Sequence, residues 1–586
     1  MKLLHQAIEA HKNQQWNTAE KLYLELIYRF KDPKAMSYLG SLYSHLQHYE
    51  HAEYYFKSSL TINPNQLDTR YNLGICLKKQ DKLTEAINHL SSIVKTHRTN
   101  EMYFYSLIDA CILNDELTSA KNYLDTALKA FPKSYKLIHL SAIIEEVQGN
   151  IDRAEFFLEK ALSINNKYLP SLNKLGMLQK RNNNIKASIE TLSAAIKTDN
   201  QNFQLHHNIA NSYSDSFQYL RAVEHYEKAL TLNSLYRDTH LNLNHIYWKL
   251  GKKDQFLDSY KPVNFKDKNN CQLFFDYCNF LLLSAPENCE KELERYESYH
   301  YGSYQILEIK AKIYALKKDY LTTEKLLLEA TVVSQDIDLQ YQLLENQFIL
   351  EKYESVNDIV TNILKEFPSD IHALAYKNLI SKTNDIDSLI HIKDDVLSDK
   401  QTGLRNTLIK SLNSLHSDNT EPIDQTLHKG TQTPGNLFEY QDHHIQTFFE
   451  LVKLTIEQYI YRNKNIHPIL RTFKSPEFKI TSAWSVKLRS EGFHNNHIHP
   501  MGVLSCVYYV ELPKEMDTDQ GKAGWLKFGE HNIRPGNIND LTFIEPKQDR
   551  LVIFPSYFWH GTVPFKSNNS RLTIAFDISV NEKLDI

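Results

Sequence analysis

Small side chains recur every 34 residues through the first half of the chain. Twelve residues after each of the first six comes a second small residue. The first column is Gly40, Gly74, Ile108, Ala142, Gly176, Ala210 and Asn244, and the second is Ala52, Ala86, Ala120, Ala154, Ser188 and Ala222. Two helices approach closely only where side chains are small, and larger apolar residues fill the space beside them. The period therefore predicts a series of antiparallel helix pairs.

The pattern over residues 1–262 resembles the tetratricopeptide repeat family. This resemblance implies that the helix pairs stack into a superhelix with an extended concave face. Residues 263–397 keep apolar residues at helical spacing but lose the columns. We interpret them as degenerate repeats that continue the array, and a separate helical domain is the alternative.

Four asparagines in the repeats are candidate peptide ligands. The sixth position of three repeats holds Asn72, Asn208 and Asn242, and Asn211 lies one helical turn after Asn208. An asparagine can both donate to and accept from a peptide backbone. Some tetratricopeptide superhelices, which this array resembles, hold extended peptides with a ladder of asparagines. The alternative is that these side chains bond to neighbouring helices or to water.

The pattern changes near residue 400. A polar stretch at 414–436 contains glycines and prolines, and the later apolar runs are short and rich in β-branched and aromatic residues, which predicts strands. The predicted strands are 482–488, 503–512, 525–528, 551–554 and 572–580. They indicate a sandwich or jelly roll, with a helix over about 441–462 packed on its outside. The chain is thus expected to be a multidomain α + β protein, with domains at 1–262, 263–397 and 398–586.

The charge balance gives no indication of a nucleic-acid or membrane partner. The chain has 67 basic and 71 acidic residues among 586, a net charge of −4. No apolar run approaches the ~20 residues of a membrane span. The six cysteines do not make a disulfide framework in a chain this long, and polar residues interrupt the amino terminus too early for a signal peptide. We therefore expect a soluble, cytoplasmic protein.

A cluster of histidines carries the candidate chemistry. His494, His497 and His499 lie just before one predicted strand, His560 follows another, and Arg571 opens the last. Residues two apart on an extended segment point to the same face, so His497 and His499 can address one ion. His560 is expected from the facing sheet. This order is that of a non-haem iron site with a 2-oxo-acid cosubstrate, in which three ligands leave one face of the metal open.

Several segments resemble the 2-oxoglutarate/Fe(II) oxygenases that occur fused to tetratricopeptide repeats in bacteria. These segments are 482–489, 492–500, 524–529, 551–564 and 571–577, with a lead-in at 424–433. The resemblance covers about residues 400–586. It implies a double-stranded β-helix (jelly roll or cupin-like) with the metal between its two sheets. It also implies Fe(II), 2-oxoglutarate and O2 as cofactor and cosubstrates.

The cosubstrate residues follow from the chemistry and the resemblance together. Arg571 would hold the far carboxylate of 2-oxoglutarate, because a guanidinium fork matches a carboxylate and stays charged. Thr573 is on the same face of the strand and can donate a second hydrogen bond. By resemblance, Tyr509 could donate a third, whereas Tyr508 faces the other way and is expected to pack.

His499 departs from the pattern of the wider superfamily, in which most members carry Asp or Glu at this position. Three neutral imidazoles leave the site one positive unit higher than two imidazoles and a carboxylate. The site could therefore be a three-histidine centre, a centre with two protein ligands, or one adapted to another metal or reaction. His494 is expected outside the ligand set, lining the mouth of the site.

The sequence favours a 2-oxoglutarate- and Fe(II)-dependent dioxygenase that hydroxylates a protein or peptide recruited by the repeats. In one alternative the repeats make the chain a scaffold, with a small-molecule-acting or catalytically atypical oxygenase domain. In another, the β domain is a cupin-like metalloprotein that does not use 2-oxoglutarate. Arg571 and Thr573 argue against the second alternative.

Overall fold

The computed structural model describes residues 2–381, 386–397, 402–416, 426–433, 435–440, 442–472, 476–514, 521–534 and 541–582. Contacts divide the chain into two compact units, Met1–Asn200 and Gln201–Ile586, and each is considered by itself. The predicted domain start at 398 and the first two residues of the predicted lead-in, 424 and 425, lie outside the described residues. No helix in the described ranges is long and apolar enough to cross a membrane.

The described part of the first unit consists of consecutive helix pairs. The helices are α1 (Lys2–Lys12), α2 (Trp16–Phe30), α3 (Pro33–His45), α4 (Tyr49–Ile62), α5 (Leu67–Lys79), α6 (Leu83–Thr96), α7 (Glu101–Leu113), α8 (Leu117–Ala130), α9 (Tyr135–Val147), α10 (Ile151–Ile164), α11 (Leu169–Arg181) and α12 (Ile185–Thr198). Each pair spans the predicted period, which confirms the prediction of helical repeats.

The small-residue columns lie where the two helices of a pair touch. A Cβ atom on Gly40 would lie 2.8 Å from the Phe56 ring, and one on Gly176 would lie 2.5 Å from Cγ of Leu192. Ser188, which replaces the usual alanine, donates its hydroxyl to the Gly176 carbonyl at 2.6 Å. The 34-residue period is therefore a steric requirement of close helix packing.

The second unit begins with more helices. Those before the β domain are α13 (Phe203–Asp215), α14 (Tyr219–Leu232), α15 (Arg237–Lys249), α16 (Cys271–Ser284), α17 (Pro286–Tyr296), α18 (Tyr304–Leu316), α19 (Tyr320–Val333), α20 (Ile337–Ile349), α21 (Tyr353–Glu366), α22 (Ile371–Ser381) and α23 (Ile386–Leu389). Two more, α24 (Thr402–Leu415) and α25 (His443–Asn463), belong with the sheets.

The regular array changes after α15. The column residue there is Asn244, whose amide group donates to Ser259 Oγ at 2.8 Å and whose oxygen accepts from the Leu257 backbone at 2.6 Å. These bonds hold an irregular segment with a 3₁₀ turn, Asp258–Tyr260, where the second helix of the pair would begin. A polar residue in the column thus marks the end of the regular repeats.

Helix pairs reappear in α18 to α21. In the first pair Ala311 and Thr323 are buried and keep the twelve-residue spacing of the two earlier columns. In the second pair the equivalent positions are larger, for example Leu344 and Val356. The spacing is therefore preserved although larger side chains occupy these positions. The repeat is for this reason not evident from the pattern of small residues.

The β domain contains two antiparallel sheets. The strands are β1 (His391–Lys393), β2 (Leu427–Gln432), β3 (Pro476–His494), β4 (Leu504–Glu511), β5 (Leu526–Phe528), β6 (Thr542–Ile544), β7 (Leu551–Pro555), β8 (His560–Thr562) and β9 (Arg571–Glu582). The larger sheet has the order β1-β7-β4-β9-β3-β2 and the smaller one β6-β5-β8. The five predicted strands are all present, β3 being much longer than its prediction.

The interpretation of 414–436 as only a polar stretch was wrong in part. It contains β2, whose residues pair with β3 from Leu427↔His494 to Gln432↔Val486, with a register shift between His428 and Gly430. A Cβ on Gly430 would lie 2.9 Å from the Lys487 carbonyl, so this glycine lets the edge strand approach its neighbour. The sequence concealed the strand because glycine and polar residues are poor indicators of one.

One face of the larger sheet packs against α24 and α25, as expected for the outer helix. Alternate residues of β9, from Leu572 to Val580, join Tyr508 and apolar residues of both helices in one buried core. The opposite face carries Arg571, Thr573, Ala575 and Asp577, because neighbouring side chains on a strand point to opposite faces. The helices therefore cover only the outer face of the sheet, and the candidate site lies on the inner face.

A second core joins the last helices to the β domain. Tyr376 on α22 packs edge-on against Trp559 and contacts buried His531 with its hydroxyl at 3.2 Å from Nε2. Phe348 at the end of α20 packs on the His531 ring, with centroids 5.2 Å apart. Arg534 donates to the Phe348 and Ile349 carbonyls at 3.2 and 3.3 Å. Helices α20 to α23 and the smaller sheet thus share buried apolar residues. The domain boundary near 397 stays a prediction.

We predict that the β domain needs α20 to α23 in order to fold. Fragment 334–586 is expected to be soluble and to unfold cooperatively, whereas fragment 398–586 is expected to aggregate, because it loses the helical half of the shared core. Circular dichroism and gel filtration of identically tagged fragments measure this. A monomeric, cooperatively unfolding 398–586 fragment would contradict the prediction.

Candidate metal centre

A short backbone bridge joins the segment after β3 to the smaller sheet. His497 N–H donates to the His560 carbonyl at 2.9 Å, and His560 N–H donates back at 3.0 Å. His499 N–H donates to the Ser556 carbonyl at 3.1 Å. These bonds hold an otherwise irregular segment against the start of β8, so both histidines of His-x-His face the strand that carries His560.

The Nδ1 atoms of two histidines are bound to main-chain carbonyls. His497 Nδ1 lies 2.7 Å from the Asn495 carbonyl, and His560 Nδ1 lies 2.9 Å from the Phe558 carbonyl. A carbonyl can only accept, so Nδ1 carries the proton in both rings and Nε2 presents a lone pair. This tautomer leaves Nε2 free to bind a metal.

The three imidazoles converge on one point. One ligand atom from each of His497, His499 and His560 lies within 4.8 Å of the others. The Nε2 atoms of His497 and His499 are 2.9 Å apart. Two nitrogens bound at right angles at about 2.1 Å from a metal lie about 3.0 Å apart. The spacing of the pair therefore matches adjacent positions on one ion.

Burial favours the neutral form of these rings. Desolvation, helped by nearby His499, lowers the pKa of His497 to about 3. Desolvation also holds the pKa of His560 well below its usual range. Both imidazoles are consequently neutral near pH 7, which is the form that binds metal.

Asp577 on β9 holds the third histidine. His499 Nδ1 lies 2.6 Å from Asp577 Oδ1, which also accepts from Ser505 at 2.7 Å. Ser482 donates to the other oxygen at 3.1 Å. This aspartate ends the segment 571–577 and has no predicted role. Its position could have indicated a role, because Asp577 lies on the same face of the strand as Arg571 and Thr573.

Arg571 and Tyr509 lie together on the inner face. Tyr509 pairs with Thr573 across β4 and β9, and the Arg571 guanidinium is 5.0 Å from the Tyr509 ring centre. Arg571 Nη1 donates to the Gly524 carbonyl at 3.0 Å. Arg571 Nε and the Tyr509 hydroxyl are both buried without a hydrogen-bond partner among the described residues. Two donors on one wall thus lack an acceptor.

Burial perturbs both of these groups. Desolvation lowers the pKa of Arg571 and raises that of Tyr509. A buried guanidinium without an anionic partner is costly, whereas a bound carboxylate would restore its charge balance. An acidic ligand would fit here because its carboxylate could accept hydrogen bonds from these two donors.

His494 lies beside the three convergent rings and is not among them. Its Nδ1 is 3.3 Å from Thr426 Oγ1, and its ring stacks on His497 with centroids 5.7 Å apart. The structure therefore brings His497, His499 and His560 together and leaves His494 as their neighbour.

The asparagines of the repeats fall into two groups. Asn72, in the first unit, is half-buried and lies 3.5 Å from Ser41 Oγ. In the second unit, Asn211 Oδ1 accepts from Tyr226 at 2.6 Å and from Asn242 at 3.0 Å. Half-buried Asn208 precedes Asn211 by one turn of α13. The structure thus brings Asn211 and Asn242 together through a bond between neighbouring helices.

Two facing antiparallel sheets with convergent imidazoles between them define a double-stranded β-helix with a candidate metal site. Residues 482–577 match the family described as "Putative 2OG-Fe(II) oxygenase". Residues 12–93 match "Anaphase-promoting complex, cyclosome, subunit 3", and residues 203–234 match "Tetratricopeptide repeat". The chain thus combines amino-terminal tetratricopeptide repeats with a carboxy-terminal domain of that oxygenase family, which confirms the resemblance drawn from the sequence.

Individual relatives match the chain more distantly. RNA polymerase-associated protein CTR9 of Caenorhabditis elegans is 23% identical over 328 residues, and the match spans 44% of this chain and 28% of the relative's length. A tetratricopeptide repeat protein from Parabacteroides merdae superposes with a TM-score of 0.38 at 13% identity, over 41% of this chain and 96% of that one. Yeast Tom70 gives a TM-score of 0.36 at 13% identity, over 68% and 98% of the two chains.

We predict that His497→Ala and His560→Ala each weaken binding of Co(II), a spectroscopic substitute for Fe(II), by at least about 100-fold, because each removes a ligand rather than an outer partner worth about 10- to 100-fold. The matched control is His494→Ala, which removes a neighbouring imidazole and is expected to change the affinity by less than threefold. Anaerobic Co(II) titration measures all three variants. Equal losses in all of them would contradict the assignment.

Proposed function

We propose that the protein is a 2-oxoglutarate- and Fe(II)-dependent dioxygenase that hydroxylates a protein or peptide recruited by its repeats. One observation carries the proposal: three imidazoles converge between the sheets, and two orphaned donors, Arg571 Nε and the Tyr509 hydroxyl, lie on the adjoining wall. The first group suits a metal and the second suits an acid. The match of residues 482–577 to the oxygenase family supports this combination.

In this proposal His497, His499 and His560 hold Fe(II) through their Nε2 atoms. The main-chain carbonyls of Asn495 and Phe558 keep two of the rings in the binding tautomer. Iron with 2-oxoglutarate and O2 supplies the chemistry, an oxidative decarboxylation that gives succinate and carbon dioxide and delivers the second oxygen atom to a substrate C–H bond. The protein contributes orientation and a site largely closed to water.

Arg571, Thr573 and Tyr509 would hold the distal carboxylate of 2-oxoglutarate. Side chains on one face of a strand follow each other at about 6.8 Å, so the inner face of β9 runs from Asp577, which lies against His499, past Ala575 and Thr573 to Arg571. Ala575 is the smallest of these and lies between the two ends. The Arg571 end of this row, with the orphaned Arg571 Nε and Tyr509 hydroxyl, suits an acid, which favours 2-oxoglutarate over cupin chemistry that lacks an acid cosubstrate.

The repeats support a protein or peptide substrate, because such arrays usually bind protein partners on an extended surface. Asn72 and Asn208 are candidate peptide-binding residues that lie outside the Asn211–Asn242 contact, and both are half-buried. A scaffold with a small-molecule-acting oxygenase remains the rival proposal. It differs in predicting turnover that is independent of the repeats.

Anaerobic Fe(II) titration with and without 2-oxoglutarate, followed by O2 and measurement of succinate, tests the function. Wild-type protein is expected to bind both and to release succinate. Arg571→Gln should retain Fe(II) binding but need about 10- to 100-fold more 2-oxoglutarate, because a charge-assisted hydrogen bond contributes roughly 1.5–3 kcal/mol. If metal-loaded wild-type protein forms no succinate, the proposed 2-oxoglutarate-dependent activity is wrong.

The neighbouring tyrosines provide a matched control. Tyr509→Phe removes the orphaned hydroxyl and is expected to raise the 2-oxoglutarate requirement several-fold. Tyr508→Phe removes a hydroxyl that instead donates to Asp549 at 2.8 Å on the helix-covered face. Its 2-oxoglutarate requirement should be unchanged. Equal effects of the two substitutions would count against the proposed wall.

For the repeats, we predict that Asn208→Ala, which leaves the Asn211–Asn242 bond intact, weakens capture of an extended peptide partner at least about twofold. Each lost backbone hydrogen bond contributes about 0.5–1.5 kcal/mol. Binding to a peptide array, compared with Asn165→Ala at a loop position, measures the effect. Unchanged capture would argue against the asparagine ladder, and succinate formation without peptide should be the same in all three proteins.

A further inference from the structure

Asp577 is a buried carboxylate whose partners surround it in the β domain. The side chain is about 6% exposed, and its only ion-pair partner among the described residues is His499. One oxygen accepts from Ser505 and lies against His499 Nδ1, and the other accepts from Ser482. An ionised carboxylate suits three donors. A histidine that is neutral as a metal ligand leaves this anion without a permanent counter-charge.

The packing around Asp577 fixes its position. A Cβ atom on Gly502 would lie 2.9 Å from Asp577 Cβ, so the segment that follows His499 closes directly over the aspartate. The flanking residues Phe576 and Ile578 point into the helix-covered core. A carboxylate buried in such a strand is costly unless a compensating charge is near. The convergent Nε2 atoms provide a place for that charge on the far side of His499.

We propose that Asp577 supplies, through His499, the negative charge that a directly bound carboxylate supplies in the usual two-histidine, one-carboxylate site. It would also fix His499 with Nε2 toward the metal. The inference rests on the proposed function only for the presence of a metal at the three histidines, and not on turnover. Asp577 is in these terms a positioning residue that never touches the ion.

The proposal accounts for the departure at His499. A site of three neutral imidazoles carries one more positive unit than the usual set. Adding the Asp577 carboxylate at hydrogen-bond distance from one ligand brings the net charge of the assembly back to that of the usual set. Outer partners of this kind orient the ring and raise its basicity, and their loss typically lowers metal affinity by about 10- to 100-fold.

The first arm of the test uses Asp577→Asn, which keeps the size of the side chain and removes its charge. Anaerobic Co(II) titration, followed by the visible absorption of the bound ion, is expected to show about 10- to 100-fold weaker binding with one ion still bound. Ser482→Ala removes a donor from the oxygen remote from His499 and serves as the control, with less than a threefold effect expected. The unfolding temperature of each metal-free variant reports on the fold separately.

The second arm is a rescue. Adding His499→Asp to Asp577→Asn places one carboxylate back in the site, now as a direct ligand, so the double variant has the charge of the wild type. We expect it to bind Co(II) more tightly than Asp577→Asn alone. A merely structural aspartate would give losses that add. If Asp577→Asn fails to fold, Co(II) binding by the double variant alone tests the proposal.

The outcomes separate cleanly. Rescue, or a folded double variant that binds where Asp577→Asn does not, supports the proposal. Additive losses, unchanged Co(II) affinity in Asp577→Asn, or failure of both variants to fold would overturn it. None of these readouts involves 2-oxoglutarate or O2, so a protein that binds Co(II) but forms no succinate would fail as the proposed enzyme while leaving this inference intact.

Discussion

The site depends on the paired backbone hydrogen bonds between His497 and His560. These bonds attach the segment after β3 to the first residue of β8, and they thereby join the two sheets where the three imidazoles converge. Without this bridge, His497 and His499 would stand on a free loop, and ordering such a loop costs roughly 1–2 kcal/mol of backbone entropy per residue. Gly561 permits it, because a Cβ there would lie 2.3 Å from Asn496 Oδ1.

Strand β9 then organises the rest of the inner face. Its period of two sends Leu572, Ile574 and Phe576 into the core with α24 and α25, while Arg571 and Asp577 point toward the site. The helices thus bury one side of the strand so that polar groups on the other can be held in fixed register. One strand thus carries both the buried Arg571 and the aspartate that lies against His499 Nδ1.

Features that depend on local spacing could be predicted from the sequence, whereas features that depend on contacts between distant residues could not. The period of 34 gave the repeats because helix packing demands small residues at fixed spacing, and the order of His497, His499 and His560 gave the convergent rings. Asp577 was overlooked because a single aspartate in an apolar strand has many possible roles. The contact of Tyr376 with His531 joins residues 155 apart, and no local pattern encodes it.

That contact has a consequence for the function of the helices near the site. His531 is buried between Phe348 and Trp559, and its backbone carbonyl lies 3.5 Å from Asn496 Nδ2, beside His497. Helices that share a core with the β domain cannot move freely with respect to it. A partner held on α20 to α22 would therefore stand at a fixed distance from the histidines, whereas a flexibly linked repeat could only raise its local concentration. The shared core makes these last helices part of the framework that positions the three histidines.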